Sequence, residues 1–240
     1  MITHVKQNVN EQEKESLDFK LREEFQFGAE KFANNPLHLK LRKEDVDVRT
    51  CLNFVPRMMF FVMGFKDLMQ LVRYHHPSND LERSVNTHSD EDSNHWEWYL
   101  RDLEFISGKF KNAHSRELIS EVWADETMQV RDTIYTFAGH IKSFSNPVAR
   151  MLMIEVLEIT FDKFKESVHP MLKKADLYGQ LDYFGKTHQE TEENHSTGIS
   201  DDEINGLIAL LPDELKEEMV EVVNSLFDKM YAMAANWAEA

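Results

Sequence analysis

The chain has 240 residues, a formal net charge of −16 and one cysteine, Cys51. A surface this acidic repels phosphate groups, so the composition argues against binding to nucleic acid or to an anionic membrane. A lone cysteine forms no intrachain disulfide and is typical of a reducing compartment. Because the first residues lack a signal-peptide pattern and the longest apolar run, MMFFVMGF, is far too short to span a bilayer, we expect a cytoplasmic protein.

Helical periodicity runs along the whole chain, and alternating strand patterns are scarce. The few glycines and prolines, eight and six, are also untypical of a protein built from many short strands. We therefore expect one all-α domain over residues 1–240, folded as a helical bundle of eight or nine helices. In chain order, the predicted helices cover about 11–33, 46–74, 80–106, 115–124, 126–143, 147–174, 181–196, the segment INGLIALL and the segment after Pro212.

Local signals set several of these boundaries. Pro56 should kink the second helix, because a proline inside a helix removes one hydrogen bond and clashes with the preceding turn. Asn79 and Glu82 have the spacing of a capping box, which predicts a helix that begins near residue 80. Pro147 is well suited to the first position of the long helix that follows it.

Two octapeptides repeat one spacing, HSDEDSNH at 88–95 and HQETEENH at 188–195. Each has a histidine, an acid four residues later and a second histidine after three more. A chain of this composition should contain roughly 0.09 such matches by chance. On a helix the three positions share a stripe about 60° wide. Imidazole and carboxylate ligands together suit iron, manganese or zinc. The repeat therefore predicts a metal site that uses His88, Asp92, His95, His188, Glu192 and His195.

A third helix should add a carboxylate, because dinuclear sites in helical bundles combine acid-x-x-His pairs from two helices with carboxylates from others. The segment MLMIEVLEITF offers Glu155 and Glu158. Glu155 has Met151 and Leu152 at helical contact spacing, and an acid on so apolar a face needs a partner. Glu158 is followed one turn later by Asp162, which indicates a position nearer the surface. We therefore predict Glu155 as the ligand from this helix.

The series H-x6-H, an acid on a later helix and then H-x3-[DE]-x2-H resembles the heme-oxygenase-like diiron oxidases and oxygenases. These iron-containing redox enzymes have relatives among the TenA/PqqC-like helical proteins. The segments NPLHLKL and DEDSNHWEWYLRDLE are also similar to that superfamily, and the resemblance covers roughly residues 36–195. It implies a compact heme-oxygenase-like bundle with two iron ions, manganese being the alternative, and no heme. It also implies an oxidoreductase that activates O2 on a small organic substrate, and a homodimer is expected.

Five residues match the ligand positions of that superfamily: His95, Glu155, His188, Glu192 and His195. His88 stands seven residues before His95, where the diiron members commonly have glutamate. A neutral imidazole at this position lowers the negative charge of the site. The difference leaves open a mononuclear site, a dinuclear site that uses Asp92 or Glu91 instead, or a different metal.

Other functions also fit parts of the sequence. Both octapeptides could be solvated acidic helix faces, and the chain could be a metal-free relative that works as a cofactorless enzyme or a small-molecule-binding protein. A ferritin-like variant of the site would need a further carboxylate, such as Asp67. An interaction protein that uses its acidic surface is a third class. Cys51 lies in the apolar context TCLNFV and is best interpreted as a packed small side chain.

Overall fold

A computed structural model describes residues 16–45, 47–110, 115–192 and 201–240. These ranges contain helices and no strand, which confirms the all-α prediction for them. Ten of their α-helices have seven or more residues, so the expected eight or nine helices were too few. The extra helix arises where the predicted helix at 80–106 is divided by a turn at Ser93 and Asn94. Within the same ranges, no helix combines the length and the apolar composition that crossing a membrane requires.

The α-helices are numbered here in chain order. They are α1 (Leu17–Ala33), α2 (Pro36–Leu41), α3 (Val48–Cys51), α4 (Met59–Val72), α5 (Asp80–Asp92), α6 (His95–Phe110), α7 (Ser115–Trp123), α8 (Met128–Ser143), α9 (Pro147–Lys174), α10 (Lys186–Glu192), α11 (Asp201–Leu210) and α12 (Asp213–Ala238). Two 3-10 helices, Leu52–Met58 and Asp125–Thr127, precede α4 and α8.

Hydrogen bonds at the helix ends explain several of these boundaries. The Asn79 side chain accepts a hydrogen bond from the backbone N–H of Glu82 at 2.9 Å, which caps the start of α5. Asn146 caps α9 in the same way, with Pro147 in the first helical position. Pro56 lies inside the 3-10 helix Leu52–Met58, so this proline separates α3 from α4 instead of kinking one continuous helix.

Helix α9 lies at the centre of the bundle and packs against α1, α2, α5, α11 and α12. Every residue from 151 to 157 is buried, which is the pattern of a helix surrounded by other helices on all sides. The same run contains an acid, Glu155, whose side chain is 2% exposed. Acids on this helix therefore lie where water can do little to stabilise their charge.

Helices α1 and α12 approach each other closely at Gly28. This glycine is buried in the middle of α1, and a methyl group added to it would overlap the ring of Phe227 in α12. Gly139, in the last turns of α8, has open space where its side chain would be. The two glycines therefore serve different purposes, although both lie within helices.

We expect Gly28→Ala to lower the free energy of unfolding by about 1–3 kcal/mol, because the added methyl forces the Phe227 ring to move in a packed interface. Gly139→Ala is the matched control and should raise the free energy of unfolding by up to about 1 kcal/mol, since alanine favours a helix. Urea denaturation of both variants measures the difference. A Gly28→Ala protein as stable as the Gly139→Ala protein would contradict the close approach of α1 and α12.

Candidate metal centre

Side chains from four helices form two groups of potential metal ligands. Within each group, one ligand atom per residue can be chosen so that all three lie within 4.8 Å of one another. The first group consists of His88 and Asp92 from α5 and Glu158 from α9. The second consists of His95 from α6 and of His188 and Glu192 from α10.

The first group has one nitrogen donor and two carboxylates. His88 Nε2 lies 2.9 Å from Asp92 Oδ2 and 3.3 Å from Glu158 Oε1. Two atoms bound to one ion at about 2.1 Å are separated by about 3.0–3.4 Å when the angle between the bonds is about 90–109°. Both distances are close to that range. The first group therefore has the spacing and the chemistry of a cation site.

The second group has two nitrogen donors and one carboxylate. His188 Nε2 lies 3.1 Å from Glu192 Oε1, and His95 Nε2 lies 3.8 Å from the same oxygen. The two imidazole rings are 4.3 Å apart between their centroids. Trp98 stacks on His95 at 4.7 Å with an angle of 19° between the ring planes, which restricts the orientation of that histidine. The group is held close to a binding geometry.

The hydrogen bond made by Nδ1 of His188 determines whether the Nε2 atom that faces Glu192 carries a proton. His188 Nδ1 lies 3.0 Å from the backbone carbonyl of Tyr183. Because a carbonyl only accepts, Nδ1 must carry the proton and donate it. In the neutral ring, Nε2 then presents a lone pair to a carboxylate oxygen 3.1 Å away, and these two acceptors repel each other. A proton or a metal cation must lie between them. Metal-bound histidines are commonly oriented by a second hydrogen bond of this kind.

A buried acid outside the predicted set positions α10. Asp102 in α6 is 2% exposed and accepts hydrogen bonds from the backbone N–H groups of Asp182, at 2.7 Å, and Phe184, at 3.0 Å. Tyr183, whose carbonyl orients His188, lies between those two residues. Burial raises the pKa of Asp102 to about 6, although the two N–H groups oppose that shift. Asp102 lies seven residues after His95 on one helix face, and that spacing was the available sequence signal.

Burial and mutual interaction shift the pKa values in and beside the first group. Burial disfavours the charged form of His88, but the hydrogen bonds with Asp92 and Glu158 outweigh it and raise the pKa of His88 to about 11. Burial raises the pKa of Glu158 to about 7, against the effect of His88. Burial and the charge of Glu158 raise the pKa of Glu155 to about 8. Without a metal ion, this part of the protein therefore holds protons in place of a cation.

The structure brings five of the seven predicted ligands into the two groups: His88, Asp92, His95, His188 and Glu192. Glu155 belongs to neither group, and the carboxylate from α9 is instead Glu158, one turn later. His195 lies outside the described residues. Glu91, the alternative to His88, is in neither group either.

The first octapeptide is divided between the two groups. His88 and Asp92 lie in the last turns of α5, whereas His95 is the first residue of α6, after the turn at Ser93 and Asn94. His88 and His95 therefore do not share one helical stripe, contrary to the expectation for a continuous helix. The interruption allows His95 to join the ligands of α10.

One cavity contacts both groups. Its volume is about 60 Å³, and Asp92, His95, Glu158, His188 and Glu192 all line it. The other lining side chains are mainly apolar and include Phe61, Phe65, Leu157, Phe161 and Phe164. No lysine or arginine is among the described residues that line it. Three carboxylates thus face a largely apolar space, and histidines are the lining residues, among those the structure describes, that can carry positive charge.

Comparison with known proteins adds no family assignment. No protein-family model matches the chain, and no curated protein matches it significantly. The resemblance noted in the sequence therefore stays a prediction.

We expect the metal-free protein to lose stability as the pH rises from 7 to 9. The folded-state pKa values of Glu158, Glu155 and His88, about 7, 8 and 11, all lie above the ordinary values of their side chains. The folded state therefore binds more protons than the unfolded chain in this window, and the free energy of unfolding falls as those protons are lost. Each excess proton contributes a slope of about 1.4 kcal/mol per pH unit.

Urea denaturation at pH 7, 8 and 9 in the presence of a chelator measures this slope. His38 and His169 do not interfere, because burial lowers the pKa of each to about 4 and both are neutral throughout the window. Glu155→Gln should make the slope shallower, since it removes one group with a raised pKa. Stability that increases between pH 7 and 9 would show that the carboxylates are not buried together.

Proposed function

We propose that the protein is a metal-dependent oxidase or oxygenase that binds two iron ions and activates O2 on a small organic substrate. The observation that carries this proposal is the pair of histidine-carboxylate groups on the wall of one largely apolar cavity. Each group supplies three donors from two helices, and both open onto the same space. Two ions bound there would be able to act on one substrate.

The donor atoms favour iron or manganese over magnesium or calcium. Magnesium and calcium prefer oxygen-only ligands, whereas these groups contribute three imidazole nitrogens and three carboxylates in total. Each group offers three donors, which leaves positions for O2, water or substrate; structural zinc sites, by contrast, are commonly closed by four protein ligands, whereas a catalytic zinc ion has the same open coordination. The choice of iron over zinc therefore follows from the sequence resemblance to the diiron proteins.

The charges also balance for two divalent ions. Asp92, Glu158 and Glu192 carry three negative charges when ionised, which offset most of the charge of two such ions. The imidazole at position 88, where the related diiron proteins commonly have glutamate, does not leave the first group without anions, because Asp92 lies 2.9 Å from it. The departure from the family pattern is therefore compatible with a dinuclear site.

Bound iron would supply the redox chemistry that activates O2, and the protein would supply orientation and exclusion of water. The carbonyl of Tyr183 directs Nε2 of His188 toward the ion position, and Trp98 fixes the ring of His95. The apolar wall formed by Leu157 and Phe161 limits access of water to the reacting end of the cavity. These arrangements strengthen the electrostatic interactions within the site.

Anaerobic titration with ferrous iron tests this proposal. The parent chain should bind two ions, and Glu158→Gln should bind one ion at least about tenfold more weakly, because it removes an anionic donor of the first group. Glu155→Gln is the matched control, since it changes the same residue type one turn earlier on the same helix. It should retain both ions at close to parental affinity.

The same titration distinguishes the alternatives. If Glu155→Gln loses iron and Glu158→Gln does not, the ligand from α9 is Glu155, as the sequence pattern indicated. If the folded parent chain binds no iron or manganese, the protein belongs to the metal-free class of binding proteins or cofactorless enzymes. If it binds two ions but consumes no O2 when a reductant is supplied, the site is a metal site without the proposed oxidase activity.

A further inference from the structure

The cavity has a polar end and an aromatic end. All five potential ligands on its wall belong to the two groups described above. Successive ring contacts connect His188 to Phe161 at 4.3 Å, Phe161 to Phe164 at 6.5 Å, Phe164 to Phe54 at 6.0 Å and Phe54 to Trp237 at 6.3 Å, measured between centroids. Trp237 lines the aromatic part of the cavity, where its ring also contacts that of Phe61.

Trp237 offers an unused hydrogen-bond donor. The residue is 3% exposed, and its Nε1 is buried without a hydrogen-bond partner. Buried tryptophan N–H groups usually find an acceptor, and an unpaired one calls for an explanation. Because this residue lines a cavity, an acceptor on a bound molecule is the simplest partner for it.

The aromatic end does not suit an anionic group. No lysine or arginine lines the cavity within the described residues, and the hydroxyl of Thr160 already donates to the carbonyls of Val156 and Leu157. A carboxylate placed beside Trp237 would lose its hydration without gaining a cationic partner. The acceptor that fits this end is therefore uncharged.

The size of the cavity limits the ligand further. Its volume of about 60 Å³ is well below the roughly 150 Å³ of an apolar cavity known to accommodate benzene. Long chains and fused rings would therefore require the wall to move. Met58 and Met230 line the cavity, and flexible methionine side chains permit small adjustments. The space fits a compact molecule.

We propose that the substrate is a compact molecule with an apolar body and one neutral hydrogen-bond acceptor, such as a ketone or ether oxygen, that accepts from Trp237 Nε1. Any charged or reacting group lies at the other end, beside the two ligand groups. The identification of this molecule as a substrate depends on the proposed function. Its binding at the aromatic end does not require a metal ion.

Indole N–H resonances of the full-length, metal-free protein test the proposal by nuclear magnetic resonance. The chain has four tryptophans, so single Trp→Phe variants assign each signal. The probes have four non-hydrogen atoms each, in keeping with the small cavity: acetone, 2-methylpropene, which replaces the oxygen by a CH2 group at nearly constant shape, and acetate as an anion. Acetone should shift the Trp237 signal and bind about 3- to 10-fold more tightly than 2-methylpropene, as expected for one hydrogen bond. Acetate should bind most weakly.

Trp237→Phe should abolish the preference for the ketone while retaining the binding of 2-methylpropene. Trp123→Phe is the control, because Trp123 is 59% exposed and does not line the cavity, and it should retain the preference. Equal binding of ketone and alkene to the parent chain, absence of binding by both, or tightest binding by acetate would overturn the proposal. The parent-chain comparison decides the matter even if Trp237→Phe fails to fold.

The ketone-binding experiment and the iron titration can fail independently of each other. A protein that binds no metal but prefers the ketone through Trp237 would refute the proposed oxidase function and retain the ligand class. A protein that binds two iron ions but shows no ketone preference would retain the metal site and refute this ligand class.

Discussion

The main electrostatic constraint on this site is that three carboxylates lie on the wall of one poorly hydrated cavity, where their negative charge must be stabilised. Asp92, Glu158 and Glu192 face this space, and the described wall has no lysine or arginine to pair with them. Burial of charge in such a space is costly, and protons, imidazolium groups or metal ions there would stabilise these carboxylates. The raised pKa values of His88 and Glu158 show the first two solutions operating when no ion is bound. A pair of divalent cations would replace both.

The surrounding helices keep these side chains in place. Central helix α9 carries Glu158 and packs against α5, which carries His88 and Asp92. The loop before α10 is tied to α6 by Asp102, and its Tyr183 carbonyl in turn orients His188. Because ring stacking on Trp98 holds His95 and a hydrogen bond holds His188, these two side chains should lose little conformational entropy when an ion binds. Such support is usual around metal ligands, and both Asp102 and His188 are buried.

Much of the helical architecture follows from local sequence signals. Asn146 and Pro147 define the start of α9, and the predicted helix at 147–174 has the observed bounds. The division of the predicted helix at 80–106 was not predicted, because Ser93 and Asn94 are tolerated within helices and carry no strong stop signal. That turn determines how the potential ligands are grouped, because it places His88 and His95 in different ligand groups. The prediction that His88 and His95 share one helical stripe was thus wrong, because His95 begins a separate helix.

The choice between Glu155 and Glu158 shows a second limit of sequence reasoning. Apolar neighbours were taken to mark the inward face of the helix, but residues 151–157 are buried on every side. Because this segment of α9 has no solvent-exposed face, the hydrophobicity of residues adjacent in sequence does not identify the face that contacts α5 and α10. Asp102 was missed for a related reason: its role depends on contacts with residues far away in the chain. These contacts are set by tertiary packing, which periodicity does not encode.

We propose that each of the two ligand groups binds one metal ion. Anomalous diffraction at the iron absorption edge, from crystals grown anaerobically with ferrous iron, tests this directly. Two anomalous peaks are expected, one about 2.0–2.2 Å from the donors of His88, Asp92 and Glu158 and one at the same distance from those of His95, His188 and Glu192. Peaks confined to the protein surface, or no peak in a well-ordered cavity, would contradict it.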